Sequence, residues 1–265
     1  MNGPSQIAQN YVNVGVGKTR YGLIKTLALG IMAGAFISFG ALGSTIGSVG
    51  LQPAGLSRIV SSLVFPIGLV LVLCAGGELF TGNSLVLIPV LERRIKPMDM
   101  FRNWGLAYTG NLVGSILIAE LVVLSGTLDL YPGLSAAAIN TAMAKCRLPI
   151  HAALIKGICC NFMVCLAVWI SFGASEMAGK IAATYLPVFL FVLCGFEHCV
   201  ANMYFIPVGL FASYVYPDVA DALGSIGLNW FNFIFRNLIP VTIGNLVGGA
   251  ACVAGVYWAA YLKKR

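Results

Sequence analysis

Glu197 and His198 stand side by side in "CGFEHCVAN" (194–202), in the middle of the apolar run "YLPVFLFVLCGFEHCVANMYFIPVGLFA". The carboxylate brings acceptors. The neutral imidazole offers one donor and one acceptor and exchanges its proton near neutral pH. An ionisable group inside an apolar span is costly, about 2.5–3.5 kcal/mol for Asp, Lys or Arg at a helix centre, so it is a functional candidate wherever it occurs. Glu78, Glu120 and Lys156 share that condition. No base, nucleophile and orienting group gather around His198 in the sequence, and the loops are too short for a soluble catalytic domain, which argues against an enzyme. Eight cysteines and two histidines show no CxxC and no metal-ligand spacing, so no metal or cofactor is implied and the cysteines read as buried thiols. Two readings of His198 stay open at this level: a core histidine with both nitrogens satisfied, or a polar group on a permeation path.

The elements that must position these residues are membrane spans. Of 265 residues, 59% are hydrophobic and 9% charged, with mean hydropathy +0.90. Soluble domains carry about 25% charged residues, and a soluble fold of this length has no way to hide so much apolar surface. The first apolar segment starts at Gly22 behind a polar head, which reads as a retained span rather than a cleaved signal. The net charge of +7 has no basic run interleaved with aromatics, so it reads as charge at span ends and not as a nucleic-acid surface.

About 20 apolar residues cross the hydrocarbon, and six candidates emerge at 22–43, 59–91, 103–125, 150–173, 181–213 and 236–262. The second and fifth are too long for one straight helix and are interrupted by "CAGGELFTGNS" (74–84) and "CGFEHCVAN". These read as broken helices, tolerated where unwound backbone faces protein or a water-lined cavity. The two halves also match. "FRNWGLAYTGNLVGS" (101–115) and "FRNLIPVTIGNLVGG" (235–249) share eight of fifteen positions at an offset of 134. "LIK" occurs at 23–25 and 154–156, and both breaks contain Glu-x4-Asn, Glu78 with Asn83 and Glu197 with Asn202. Three spans per unit is an odd number, so the second copy enters the membrane inverted. The organisation expected is one transmembrane domain over 1–265: an N-terminal segment 1–20, a first repeat 21–125 and an inverted second repeat 150–262.

Basic residues set the orientation. Eleven (Lys18, Arg20, Lys25, Arg93, Arg94, Lys96, Arg102, Lys180, Lys263, Lys264, Arg265) fall on the side of the termini and four (Arg58, Lys145, Arg147, Arg236) on the other, which puts both termini in the cytoplasm of a cell-membrane protein. Within the breaks, Glu78, Glu197, Asn83 and Asn202 have the chemistry to satisfy orphan amides of unwound helix. Thr81 is a natural hydroxyl partner for His198. Lys25 and Lys156, equivalent in the repeat, either snorkel at span ends or form a positive vestibule on each side. Phe65, Leu79, Phe80 and Phe191 pack the core or form apolar constrictions. Gly30 with Gly34, Gly110 with Gly114 and Gly244 with Gly248 read as close helix packing, and Glu120, near the end of its span, reads as a snorkelling group.

"ELFTGN" (78–83), "KGICCNFMVCLAVW" (156–169), "GFEHCVANM" (195–203) and "IPVTIGNLVGG" (239–249) resemble the formate/nitrite transporter family over about residues 20–262. The resemblance implies an all-α, aquaporin-like protomer of six helices with the second and fifth broken. It also implies a homopentamer in the lipid bilayer with one pore per subunit, passing small monovalent anions such as formate, nitrite or hydrosulfide. It assigns His198 as the central pore histidine, with Thr81 facing it. Asn161 and Asn202 become polar residues near the pore, and Phe65, Leu79, Phe80 and Phe191 the residues that narrow it. Lys156, where formate channels are apolar, and Glu78, in place of a frequent Asp, tilt the expectation toward nitrite or hydrosulfide. No Asn-Pro-Ala motif supports a water channel. The alternative to a channel is a proton-coupled, alternating-access transporter for a small monocarboxylate.

Overall fold

Leu23–Ser48 runs for 26 residues without a proline and with Lys25 as its single charge, and it forms one continuous helix. The structure, a computed structural model, describes residues 2–263. Met1 of the N-terminal segment and Lys264 and Arg265 of the basic tail lie outside the described residues. In chain order the main helices are α1 (Pro4–Thr19), α2 (Leu23–Ser48), α3 (Ala54–Gly76), α4 (Gly82–Leu91), α5 (Pro97–Leu124), α6 (Leu134–Cys146), α7 (Ile150–Ser171), α8 (Met177–Leu193), α9 (Cys199–Val215) and α10 (Trp230–Tyr261), with a six-residue helix, Pro217–Ala222, between the last two. The described residues contain no strand.

Both expected breaks are present. The second span divides into α3 and α4 around residues 77–81, and the fifth into α8 and α9 around 194–198. The pieces α8 and α9 have 17 residues each, about 25 Å of helix, so neither crosses the hydrocarbon alone. Gly76 and Gly195 enter the breaks at φ +94° and +69°, backbone that side chains with a Cβ rarely adopt.

Besides the six-residue Pro217–Ala222, the structure adds two short helices that the span count does not contain. Helix α1 starts at Pro4, a favoured first-turn position, and buries Ile7, Ala8, Tyr11, Val12 and Gly15 on one side. It packs against Leu85 and Ile88 of α4, Val168 and Trp169 of α7, and Val253 of α10. Helix α6 holds the matching place ahead of the second repeat. Each repeat is therefore a short leading helix followed by three spans. Asn2 N–H bonds to Gly173 O at 2.9 Å, and Trp258 Nε1 donates to Glu92 at 2.7 Å. These contacts gather the N-terminal helix and the last helix on one face, called here the terminal face. Outward side chains such as Val113, Leu117, Leu121, Ile243 and Val247 are exposed and apolar, as a lipid- or subunit-facing surface requires.

The scaffold depends on two close helix crossings, α2 on α5 and α7 on α10. A Cβ placed on Gly114 would lie 2.1 Å from Ile31 O, and one on its repeat counterpart Gly248 would lie 2.1 Å from Ile158 O. In both cases the neighbour is backbone, so relief means pushing helices apart. Gly114→Val and Gly248→Val are each expected to lower stability by about 3 kcal/mol or more, read as a fall in the unfolding temperature of the detergent-solubilised protein. Gly105→Ala, where a Cβ meets nothing within 4 Å, is expected to leave stability unchanged or raise it by up to about 1 kcal/mol.

Candidate functional site

The unwound segments need partners for their backbone, and one asparagine per repeat supplies two of them in each break. Asn111 accepts from Phe80 N–H at 2.9 Å and donates to Glu78 O at 2.9 Å and Gly30 O at 2.8 Å. Asn245, the same position in the second repeat, accepts from Cys199 N–H at 2.9 Å and donates to Glu197 O at 3.0 Å and Gly157 O at 2.8 Å. The two glutamate amides also match, Glu78 N–H bonding to Leu29 O at 3.1 Å and Glu197 N–H to Lys156 O at 3.3 Å.

The two buried carboxylates are held in matching networks. Glu78 accepts from Lys18 of α1 at 2.6 Å and from Asn83 at 2.7 Å, and Asn83 also donates to Asn103 at 2.9 Å. Glu197 accepts from Lys145 of α6 at 3.0 Å on both oxygens and from Asn202 at 2.7 Å, and Asn202 donates to Asn237 at 2.7 Å. Each buried carboxylate is thus paired with a lysine and an asparagine, as a buried charge requires, while the buried Oδ1 of Asn202 has no hydrogen-bond partner among the described residues.

The breaks meet at Thr81 and His198, whose Oγ1 and Nε2 are 2.8 Å apart with both residues buried. His198 is the N-cap of α9: its Nδ1 accepts from Ala201 N–H at 3.1 Å. An accepting Nδ1 carries no proton, so the neutral ring holds its proton on Nε2 and donates it to Thr81. Asn161 of α7 donates to Thr81 O at 3.2 Å and Asn245 O at 2.6 Å, tying the first break to the second repeat.

A cavity of about 790 Å³ opens on the face opposite the termini and ends at His198, Asn202, Phe65 and Phe191. Phe65 and Phe191 meet edge to face at 5.7 Å, and Phe191 stacks on His198 at 6.0 Å. On the terminal side the space shrinks to about 40 Å³ between Leu79, Leu69, Val72 and Val168, with Tyr11 and Lys18 of α1 lining it. Phe80 lines neither space; it packs edge-on against Tyr108 at 4.9 Å. Lys156 lines the large cavity. Lys25 is exposed, lies over the Tyr21 ring at 3.9 Å and lines neither cavity. The lysine at the terminal-side cavity is Lys18, because α1 folds back under the first break.

Sequence reasoning brought together His198, Thr81, the two Glu-Asn pairs and the two phenylalanines. It missed Lys18 and Lys145 as carboxylate partners and Asn111 and Asn245 as backbone clamps. The asparagines sit inside the matched segments 101–115 and 235–249, where identity across an inverted repeat was the available signal.

Known proteins share this architecture. A family model described as formate/nitrite transporter matches residues 5–259. A probable formate transporter of Methanothermobacter thermautotrophicus is 40% identical, with 93% of this chain and 92% of the relative covered. The formate channel FocA of Escherichia coli strain K12 is 37% identical over 98% and 95% of the two chains. Among solved structures, a pentameric formate channel with formate bound superposes with TM-score 0.81 at 35% identity, covering 91% of this chain and 98% of that one. An ion channel of the same family superposes with TM-score 0.87 at 27% identity, covering 96% and 98%.

The carboxylate networks make a direct prediction. Lys145→Met leaves Glu197 buried without its cation and is expected to destabilise the protein by about 3 kcal/mol, whereas Lys145→Met with Glu197→Gln removes both charges and recovers most of the loss. Thermal unfolding of the two variants beside the wild type measures both outcomes.

Proposed function

Because the chain belongs to the formate/nitrite transporter family, we propose that it passes small monovalent anions of weak acids, formate first, through the path on which Thr81 and His198 meet. The observation that carries this reading is a single buried donor, His198 Nε2–H, at the inner end of a large vestibule and beside an apolar ring of Phe65 and Phe191. An anion stripped of water in an apolar constriction loses most of its hydration energy and needs a donor where that loss is greatest. Thr81 holds the donor in the resting site, and a permeating anion takes its place as acceptor. The Thr81 hydroxyl is then free to donate as well.

The ring acts as a fixed donor in this reading. A second proton enters only at Nδ1, where it displaces the bond from Ala201 N–H, so a co-transported proton crosses on the acid itself rather than through the imidazole. Asn161 and Asn202 hold the walls, Leu79 narrows the terminal side, and Glu78, Glu197 and Asn83 keep the breaks open. The relatives named above carry formate in their descriptions, which makes formate the first substrate to test; Lys156 and Glu78 make nitrite and hydrosulfide the next. We further propose a homopentamer in the cell membrane with both termini cytoplasmic, on the strength of the basic-residue count and the pentameric relative. The alternating-access transporter stands as a second reading because α1 narrows the terminal side. Slow, saturable counterflow marks that transporter, and large single-channel conductance marks a pore.

Flux into liposomes, measured for formate, nitrite and hydrosulfide at acidic and neutral pH, tests the proposal. A hydrogen bond to a charged group is worth about 1.5–3 kcal/mol, so His198→Leu is expected to lower formate flux at least about tenfold. His198→Asn, which keeps an N–H donor, is expected to retain a larger share. Equal flux in wild type and His198→Leu would remove His198 from the mechanism, and no flux of any of the three by folded pentamers would overturn the proposed substrates.

A further inference from the structure

Phe80 lines neither cavity, yet it directly precedes Thr81 and is fixed twice from α5. Its N–H bonds to Asn111 at 2.9 Å, and its ring meets Tyr108 edge to face at 4.9 Å. Tyr108 and Asn111 are three residues apart, so both reach the first break from one side of that helix. The second repeat has the matching arrangement. Asn245 of α10 bonds to the N–H of Cys199, the residue after His198, and Thr242, three residues before Asn245, lies beside the Cys199 side chain.

The Tyr108 and Thr242 hydroxyls are 3.2 Å apart and share a hydrogen bond. The two residues are separated by 134 positions, the offset that relates segments 101–115 and 235–249, so each is the repeat counterpart of the other. The pseudo-twofold rotation of an inverted repeat exchanges them, and their bond therefore lies across its axis. Among the described residues it is the one hydrogen bond between α5 and α10. Those are the helices whose asparagines hold the two breaks, so their separation sets how far apart Thr81 and His198 stand. The 2.8 Å contact between Thr81 and His198 weakens when the groups part by a few tenths of an ångström. Tyr108 and Thr242 are only half-buried and line neither cavity. Two such hydroxyls add little to stability. What they fix is a distance.

We infer that Tyr108 and Thr242 are positioning residues for permeation: their bond ties the repeats together behind the breaks and holds Thr81 against His198. The inference rests on the proposed permeation at that pair. It also gives Phe80 a use away from the path, because the Phe80 ring transmits the position of Tyr108 to the backbone of Thr81.

Tyr108→Phe and Thr242→Val, singly and together, test it in the reconstituted protein, with Thr242→Ser as the variant that keeps the hydroxyl. One readout is the Nε2–H proton signal of His198, which follows its hydrogen bond to Thr81 and needs no permeation. In Tyr108→Phe and in Thr242→Val this signal is expected to move upfield, and formate flux to fall about fivefold, the order of one hydrogen bond's net contribution. The double variant is expected to fall no further than the single ones, since all three lose the same bond. Thr242→Ser is expected to keep both the signal and the flux of the wild type. An unmoved Nε2–H signal in folded Tyr108→Phe and Thr242→Val pentamers overturns the inference, even where their unfolding temperatures drop. Additive losses in the double variant, or a Thr242→Ser that behaves as Thr242→Val, overturn it as well. Wild-type protein that passes no formate, with the signal shifts as expected, would instead overturn the proposed permeation and leave the tie between the breaks standing.

Discussion

Backbone that leaves helical geometry inside a membrane must have every amide satisfied by protein, because hydrocarbon offers no partner. In this chain that requirement falls on two stretches, residues 77–81 and 194–198, and most of the polar chemistry in the interior answers to it. Asn111 and Asn245 clamp each break from a neighbouring span with two bonds apiece and hold a further span, at Gly30 O and Gly157 O, with a third. Glu78 and Glu197 accept from side chains on both flanks, and each then needs a cation, which a short leading helix brings in. His198 belongs to the same accounting: its Nδ1 caps α9, and this bond turns Nε2 into a donor with one direction to point. The donor proposed to serve permeation is a by-product of ending one helix and starting another.

The two breaks are near copies, and the site arises where they differ. Counting from Glu78 and Glu197, Phe80 and Cys199 occupy equivalent places and make equivalent bonds to Asn111 and Asn245. The residue between is Leu79 in one break and His198 in the other. One half of the repeat presents an apolar side chain to the terminal-side space, and the other presents an imidazole to the large vestibule. The lining lysines differ as well: Lys18 beside the terminal-side space is paired with Glu78, whereas Lys156 in the large vestibule has no carboxylate at ion-pair distance among the described residues. The close crossings at Gly114 and Gly248 hold both halves in register, so a polar group on the path can differ between them without disturbing the frame around it.

Much of this was legible in the sequence because the membrane imposes simple length rules. Two apolar runs too long for one helix each, both interrupted by Glu-x4-Asn, located the breaks, and the matched segments gave the inverted repeat. His198 stood out because charge is so rare nearby, and Thr81 because it lies in the opposite break. The leading helices were not legible: Pro4–Thr19 and Leu134–Cys146 are short, only partly apolar and unlike one another in sequence, so neither the span count nor the repeat comparison registers them. Their lysines were missed for the same reason. Lys18 lies 60 residues from Glu78, and Lys145 lies 52 from Glu197. The obvious repeat pair, Lys25 and Lys156, pointed to an anion-attracting lysine on each side, whereas only Lys156 lines a cavity. Asn161 carried no periodic or spacing signal, and its role as a tie between the repeats follows from three-dimensional contacts alone.

The most direct test is nitrogen NMR of His198 in the reconstituted protein. The chain has two histidines, and His151, exposed at the start of α7, can be replaced by Gln to leave a single labelled ring. The expected spectrum at neutral pH is a neutral imidazole protonated on Nε2, with the Nε2 proton signal moving as formate is added. A ring protonated on Nδ1, a charged imidazolium, or an Nε2 signal indifferent to formate while formate crosses the membrane would contradict the fixed-donor site.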